Sequence, residues 1–281
     1  LVNTERIHSN FQNIATILGK SRRTYNQLAR EIREKKAGKH VHYYGWDMVV
    51  DLCSGDVVNV LRLVRDIISL AGGIEKFSEP GNIRIPFDEK VRFGKKTGHE
   101  IQHQAIREIG NDFLNRVEAV PNIGKDLRKI AVAFGNVSNW YLRNRNSQNQ
   151  AQNPPWQAFR LEVRETPYFE ESLLKKAKRK YNLDDNISAE KLKKLYQGLI
   201  RYGIFLRDAR GKSQRGAVIP RLYIRRLLIP TFLLTPSKRD SIGVEVGEFF
   251  MLLSDPDKFV VHMRKKKPQR DDDIQRSLFD E

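Results

Sequence analysis

The chain has 281 residues, 40% of them hydrophobic, and sets 51 Lys and Arg against 34 Asp and Glu for a formal net charge of +17. That length and apolar content suffice for one or two globular domains, and the charge creates a field that draws polyanions, nucleic acid foremost. A lone cysteine, Cys53, excludes an internal disulfide and any cysteine-based zinc cluster; with no long apolar run, secretory signal or lipidation motif in view, the expectation is a soluble, cytoplasmic chain without a membrane partner.

In chain order, "TYNQLAREIREKKA" (24–37) sets Tyr25, Leu28, Ala29 and Ile32 on one stripe, the period of an amphipathic helix. A second helix is expected through "GWDMVVDLC", where Cys53 reads as a small buried thiol. Ser54-Gly55-Asp56 then supplies a stop and an N-cap for a third, "VVNVLRLVRDIISLAG", with Val57, Val60, Leu61, Val64, Ile67 and Ile68 facing the core. Pro80, Gly81, Pro86, Gly94 and Gly98 make the next stretch an irregular connection, so a helical, lid-like domain is expected over 1–98. Two more helices follow, at 100–120 and 124–144, and then a polar loop, "NRNSQNQAQNPP". His40 with His42, and His99 with His103, stand at metal-like spacings; with no carboxylate cluster beside either pair, no metal site is expected.

After the loop the period turns from helical to alternating in "WQAFRLEVRE" (156–165), a strand with Phe159, Leu161 and Val163 on one face. Thr166 caps a helix with Pro167 at its first position. Ser188 caps another, through "AEKLKKLYQGLIRYG", with Leu192, Leu195, Tyr196, Leu199 and Ile200 inward. A strand from 204 to 207, a loop from 208 to 216 and a returning strand at 217–219 complete helix, helix, hairpin. That order is the winged-helix pattern, so the expected fold class is mainly α with a small β component: a helical lid-like bundle, then a winged-helix domain over 99–262 and a charged tail at 263–281.

Gly19-Lys20-Ser21 and Gly211-Lys212-Ser213, with Gly94-Lys95 beside them, invite a phosphate-cradling loop. A P-loop needs a glycine five positions before the Gly of Gly-Lys, a buried strand before it and a helix after it. The required position holds Leu206 for Gly211-Lys212 and Ile14 for Gly19-Lys20, and Lys96 follows Gly94-Lys95 where Ser or Thr belongs. No catalytic motif and no cofactor are therefore expected within this chain. A winged helix instead lays its second helix in the major groove and its hairpin tip on the adjacent backbone. Lys193, Lys194, Gln197 and Arg201 lie opposite the core face of that helix, and they are groove-reading types: Arg pairs with guanine, Gln with adenine, and Lys neutralises phosphate. The hairpin adds Arg207, Arg210, Lys212, Arg215 and Arg221; the preceding helix adds Lys175, Lys176, Lys178, Arg179 and Lys180. Double-stranded DNA is the expected partner.

At "SGDVVNVLRLVRDI" and at "LIRYGIFLRDARGKSQRG…PRLYIRRLLIPTF" the chain resembles the C-terminal part of ORC-type AAA+ ATPases, the origin-recognition and replication-initiator family, and in particular its bacterial relatives. The resemblance runs from about Thr24 to Phe259. It implies a lid that carries Gly-Asp-Ala-Arg at a helix start, the arginine sensing nucleotide, followed by a winged helix. Gly55 and Asp56 match; Val57 and Val58 stand in place of Ala-Arg, and Arg62, one turn on, is the substitute candidate. It further implies a fragment of a longer protein, with an ATP- and Mg-binding core upstream, oligomerisation through that core, and an initiator, mobile-element or defence setting. A stand-alone winged-helix regulator or plasmid initiator, and a winged-helix scaffold for another protein, are the alternatives. In the tail, Gln275, Leu278 and Phe279 resemble the short peptide by which bacterial replication proteins dock on the sliding clamp.

Overall fold

A computed structural model describes residues 12, 14–16, 18–19, 24–33, 43–53, 56–70, 98–143, 160–163, 169–207, 212–214, 217–219, 221–236 and 242–266. Residues 12, 14–16 and 18 are helical, and three helices follow: α1 (Tyr25–Arg33), α2 (Trp46–Cys53) and α3 (Val57–Leu70). Thr24 starts α1 through a reciprocal pair: Gln27 N donates to Thr24 Oγ1 at 3.2 Å, and Thr24 N donates to Gln27 Oε1 at 2.8 Å. Such a cap satisfies two backbone donors that the first turn leaves unmade. Leu28 and Ile32 are buried, as the stripe requires.

Asp56 caps α3, its Oδ1 accepting from Val58 N at 3.1 Å and Asn59 N at 3.3 Å. The buried face of α3 differs from the expected stripe. Val60, Val64 and Ile67 are buried, but Val57 is 56% exposed and Leu63 takes the inward place at 0%. The cap explains the shift: with Asp56 at the surface, the first turn projects past the neighbouring helices, and burial begins at Asn59.

Helices α4 (His99–Glu118) and α5 (Gly124–Arg143) form a hairpin through a short turn in which Asn122 adopts φ 67°. The segment 225–236 runs across this hairpin. A side chain at Gly110 would strike Thr231 and the Leu227 carbonyl, and one at Gly135 would strike the Phe232 ring. Glycine therefore stands in two helix interiors, where it ordinarily costs about 1 kcal/mol relative to Ala, because it admits a crossing backbone.

The remaining elements are β1 (Arg160–Val163), α6 (Glu171–Tyr181), α7 (Ala189–Arg201), β2 (Phe205–Arg207), β3 (Lys212–Gln214), β4 (Ala217–Ile219), β5 (Arg221–Ile224), β6 (Ile242–Val244), α8 (Val246–Ser254) and α9 (Pro256–Lys265). The chain is mainly α with a small β component. Four strands form one sheet in the order β2-β5-β1-β6, and β1 runs antiparallel to β5 and parallel to β6. β3 and β4 pair only with each other within the described residues. The strand that returns beside β2 is thus β5, with Phe205 opposite Ile224, and not 217–219 as expected. Local pattern does not distinguish the two, since Ala217–Ile219 and Arg221–Ile224 are both short runs rich in β-forming apolar residues; burial of Leu222 and Ile224 in the core accompanies the pairing.

A second correction concerns α6. It begins at Glu171, after Phe169 and Glu170, which are not helical. Phe169 instead packs between Tyr196 of α7 and Phe250 of α8, with ring centroids at 5.5 and 5.7 Å. Thr166 and Pro167 lie outside the described residues. At the centre sits α8, buried at Val246 and from Glu248 through Leu253, with α5, α6, α7 and α9 packed around it.

Candidate nucleic-acid interface

The core-facing residues of α7 fix which residues it presents outward. Leu192, Leu195 and Leu199 are buried, and Gly198 lies so close to Ile123 and Leu127 that the helix seats directly on the α4–α5 turn and α5. Ser188 holds the N-terminus, its Oγ accepting from Lys191 N at 3.2 Å, and Glu171 Oε1 accepts from Ala189 N at 2.9 Å, tying α7 to the start of α6. With that orientation set, Lys193, Lys194, Gln197 and Arg201 are all exposed, and Lys193, Gln197 and Arg201 recur every four residues along one outward line. Among the described residues none of the four has a hydrogen bond or ion pair.

Arg207 belongs to the same surface. Its guanidinium lies 5.5 Å from the centroid of the Tyr196 ring, and this cation–π contact holds the exposed end of β2 against α7. Arg221, in β5, is half-buried and has a partner of its own, so it is not a free cation. Lys212 lies in β3, on the ribbon beyond the sheet. Arg210 and Arg215 fall outside the described residues, as do Gln275, Leu278 and Phe279.

Helix α6 contributes less positive surface than its sequence promises. Lys175, Lys176 and Arg179 are exposed. Lys178 donates to the Asp185 carbonyl at 2.7 Å, and Lys180 donates to Glu245 Oε2 at 2.6 Å, where the Tyr181 hydroxyl also donates at 2.8 Å. These hydrogen bonds hold the Glu245 carboxyl below its usual value and raise Lys180, while burial first and then Glu245 push Tyr181 up to about 12. Two of the five basic residues of α6 thus hold the fold together.

The residues singled out for nucleotide sensing sit elsewhere. Asp56 is occupied: besides capping α3, its Oδ2 accepts from Asn59 Nδ2 at 2.6 Å and lies 3.6 Å from Arg225 Nη2. Gly55 is outside the described residues. Arg62 is exposed in a cleft of about 350 Å³ that Arg116 and Arg225 also line. Arg116 and Arg225 escape sequence reasoning because nothing local joins residues so far apart; the exposed helix position of Arg116 was the available signal.

Glu100 between His99 and His103 completes the His-Glu-x-x-His spacing of helix-borne zinc sites, but the two imidazoles have other duties here. His99 stacks on Tyr44 at 3.6 Å between centroids, and His103 Nδ1 accepts from Tyr43 N at 3.3 Å. Among the described residues no group of three His, Cys, Asp or Glu could hold a metal ion, and no helix is long and apolar enough to cross a membrane.

Comparison with the curated proteins and with the solved structures finds no match. The family model described as ORC-CDC6-like matches residues 10–244, which include the capped helix α3, the α6–α7 pair and the whole four-stranded sheet. By that match, over most of its length, the chain belongs to the ORC-CDC6-like family.

Proposed function

We propose that this chain is the DNA-gripping part of an initiator-type AAA+ protein, with the region 1–98 as its lid-like helical part and 99–262 as a winged-helix unit. In this reading α7 enters the major groove and the β3–β4 ribbon is the wing that follows the backbone. The observation that carries it is the outward line of Lys193, Gln197 and Arg201, with Lys194 beside it and Arg207 held against the same helix through Tyr196. Side chains without internal partners on a helix whose other face is locked into the core are available to an external polyanion, and Arg and Gln among them are of the types that read base edges. Family membership supports the same direction.

The test is fluorescence anisotropy with duplex DNA at two salt concentrations. Wild type is expected to bind with a steep salt dependence, since each neutralised phosphate releases counterion. Reversing the charge of Lys193 and Arg201, or of Arg210 and Arg215, should each weaken binding by about 1–3 kcal/mol. An affinity unchanged by the first pair removes α7 from the interface; one unchanged by the second removes the wing.

A further inference from the structure

Arg62 of α3, Arg116 of α4 and Arg225 at the end of β5 line one open cleft of about 350 Å³, and Arg62 and Arg116 also line an adjoining one of about 590 Å³. The three differ in how they are held. Arg225 is committed to the fold, 3.6 Å from Asp56 and with its guanidinium 5.0 Å from the centroid of Phe113. Arg62 and Arg116 are exposed and have no hydrogen bond or ion pair among the described residues. Asp56 is the one carboxylate lining the smaller cleft, and its oxygens already serve the α3 cap, Asn59 and Arg225. Against that one carboxylate the smaller cleft sets three guanidiniums, and the adjoining one sets Arg62, Arg65 and Arg116 against Asp66, which Arg65 already holds, and Asp112; both are net positive, which favours an anion.

The rim narrows the kind of anion. Val58 is 56% exposed and Tyr202 is 37% exposed, and both line the same cleft as the arginines. A free phosphate would use the arginines and leave these apolar surfaces in water; an intact duplex keeps its bases stacked inside and has no face to offer Tyr202. An unpaired nucleotide uses both, with phosphate on arginine and base on aromatic ring. Tyr202 directly follows Arg201, the last residue of α7, so a strand leaving the α7 surface reaches the cleft without a gap.

We infer that this cleft binds a segment of single-stranded DNA, with its phosphates on Arg62 and Arg116 and an unpaired base stacked on Tyr202. The inference rests on the proposed function in taking DNA as the partner, and the two fail separately in the experiment. Anisotropy of the full chain is measured with labelled oligo(dT) of about fifteen nucleotides, a length on the order of one single-strand site, and with a duplex. The double substitution Arg62→Ala, Arg116→Ala is expected to weaken oligo(dT) binding about tenfold or more and to leave duplex binding within about twofold. Tyr202→Ala should weaken oligo(dT) about tenfold, and Tyr202→Phe, which keeps the ring, should restore it. Thermal melts of each variant check that the fold is retained. Oligo(dT) binding that is absent in wild type, unchanged in the double variant, or lost in step with duplex binding overturns the inference. A wild-type chain that binds oligo(dT) but not the duplex would instead overturn the assignment of α7 to duplex DNA and leave the cleft standing.

Discussion

Glu248 is buried in the first turn of α8, and a carboxylate there would be costly without partners. It has them: Lys266 Nζ at 2.6 and 2.8 Å, His262 Nε2 at 2.9 Å, and the backbone N–H of Glu245 at 2.9 Å. The arrangement is asymmetric, because Lys266 and His262 reach solvent and Glu248 does not. Lys266→Ala strands a buried charge and should cost about 3 kcal/mol, whereas Glu248→Gln leaves two cations that can turn toward water and should cost less; urea denaturation of both variants measures the order. Three residues away, Glu245 supplies a pH dependence. Its carboxyl is held low by Lys180 and Tyr181, so the folded form binds its proton less readily than the unfolded form. That stabilisation is present above the unfolded value of 4.5 and is lost as pH falls through the lower folded value. The expected result is a urea midpoint that drops below about pH 4.5, with a smaller drop in Glu245→Gln.

Among the elements, α7 was the most legible in the sequence. Leu192, Leu195 and Leu199 have helical spacing and are all buried, so the outward residues followed by subtraction. For α3 the period was right but the phase at its start was not, because an exposed cap carries Val57 away from the core. The sheet was least legible. Nothing within 204–224 tells β4 from β5 as the partner of β2, since that choice depends on β1, which lies about forty residues earlier and pairs with β5. Arg116 and Arg225 were missed for the same reason: a cleft is a long-range object. The glycines of α4 and α5 provide an element-scale test. Alanine in a helix gains about 1 kcal/mol over glycine, but at Gly110 the obstruction includes the Leu227 backbone carbonyl, which cannot swing aside. Gly110→Ala should therefore destabilise by about 1–3 kcal/mol net. Gly135→Ala meets Cγ, Cδ1 and Cδ2 of Phe232, the base of a ring packed against the core, and should cost a similar amount. A raised melting temperature in either variant would contradict this account.

At the scale of the molecule, one segment connects what the sequence separates. Beyond β5, Arg226 Nη1 donates at 3.1 Å to both the carbonyl oxygen and Oδ1 of Asp51 in α2, while the Tyr43 hydroxyl donates to the Leu234 carbonyl at 2.6 Å. Asn139 of α5 donates to the Leu233 carbonyl at 3.1 Å, so the same stretch also grips the central hairpin. Gln102 of α4 adds a buried connection, accepting from Gly45 N at 2.8 Å and donating to the Leu18 carbonyl at 3.1 Å. The described helices before residue 71 and the described elements after residue 97 therefore share a continuous apolar interior. A cut between 97 and 98 leaves each of these hydrogen bonds in place, so covalent continuity between the two parts acts on them through local concentration. Two separately translated pieces, 1–97 and 98–281, should accordingly find each other and co-elute as a heterodimer with the melting behaviour of the uncut chain at high concentration. Pieces that elute apart would show that the shared interior is too weak to serve as a subunit interface.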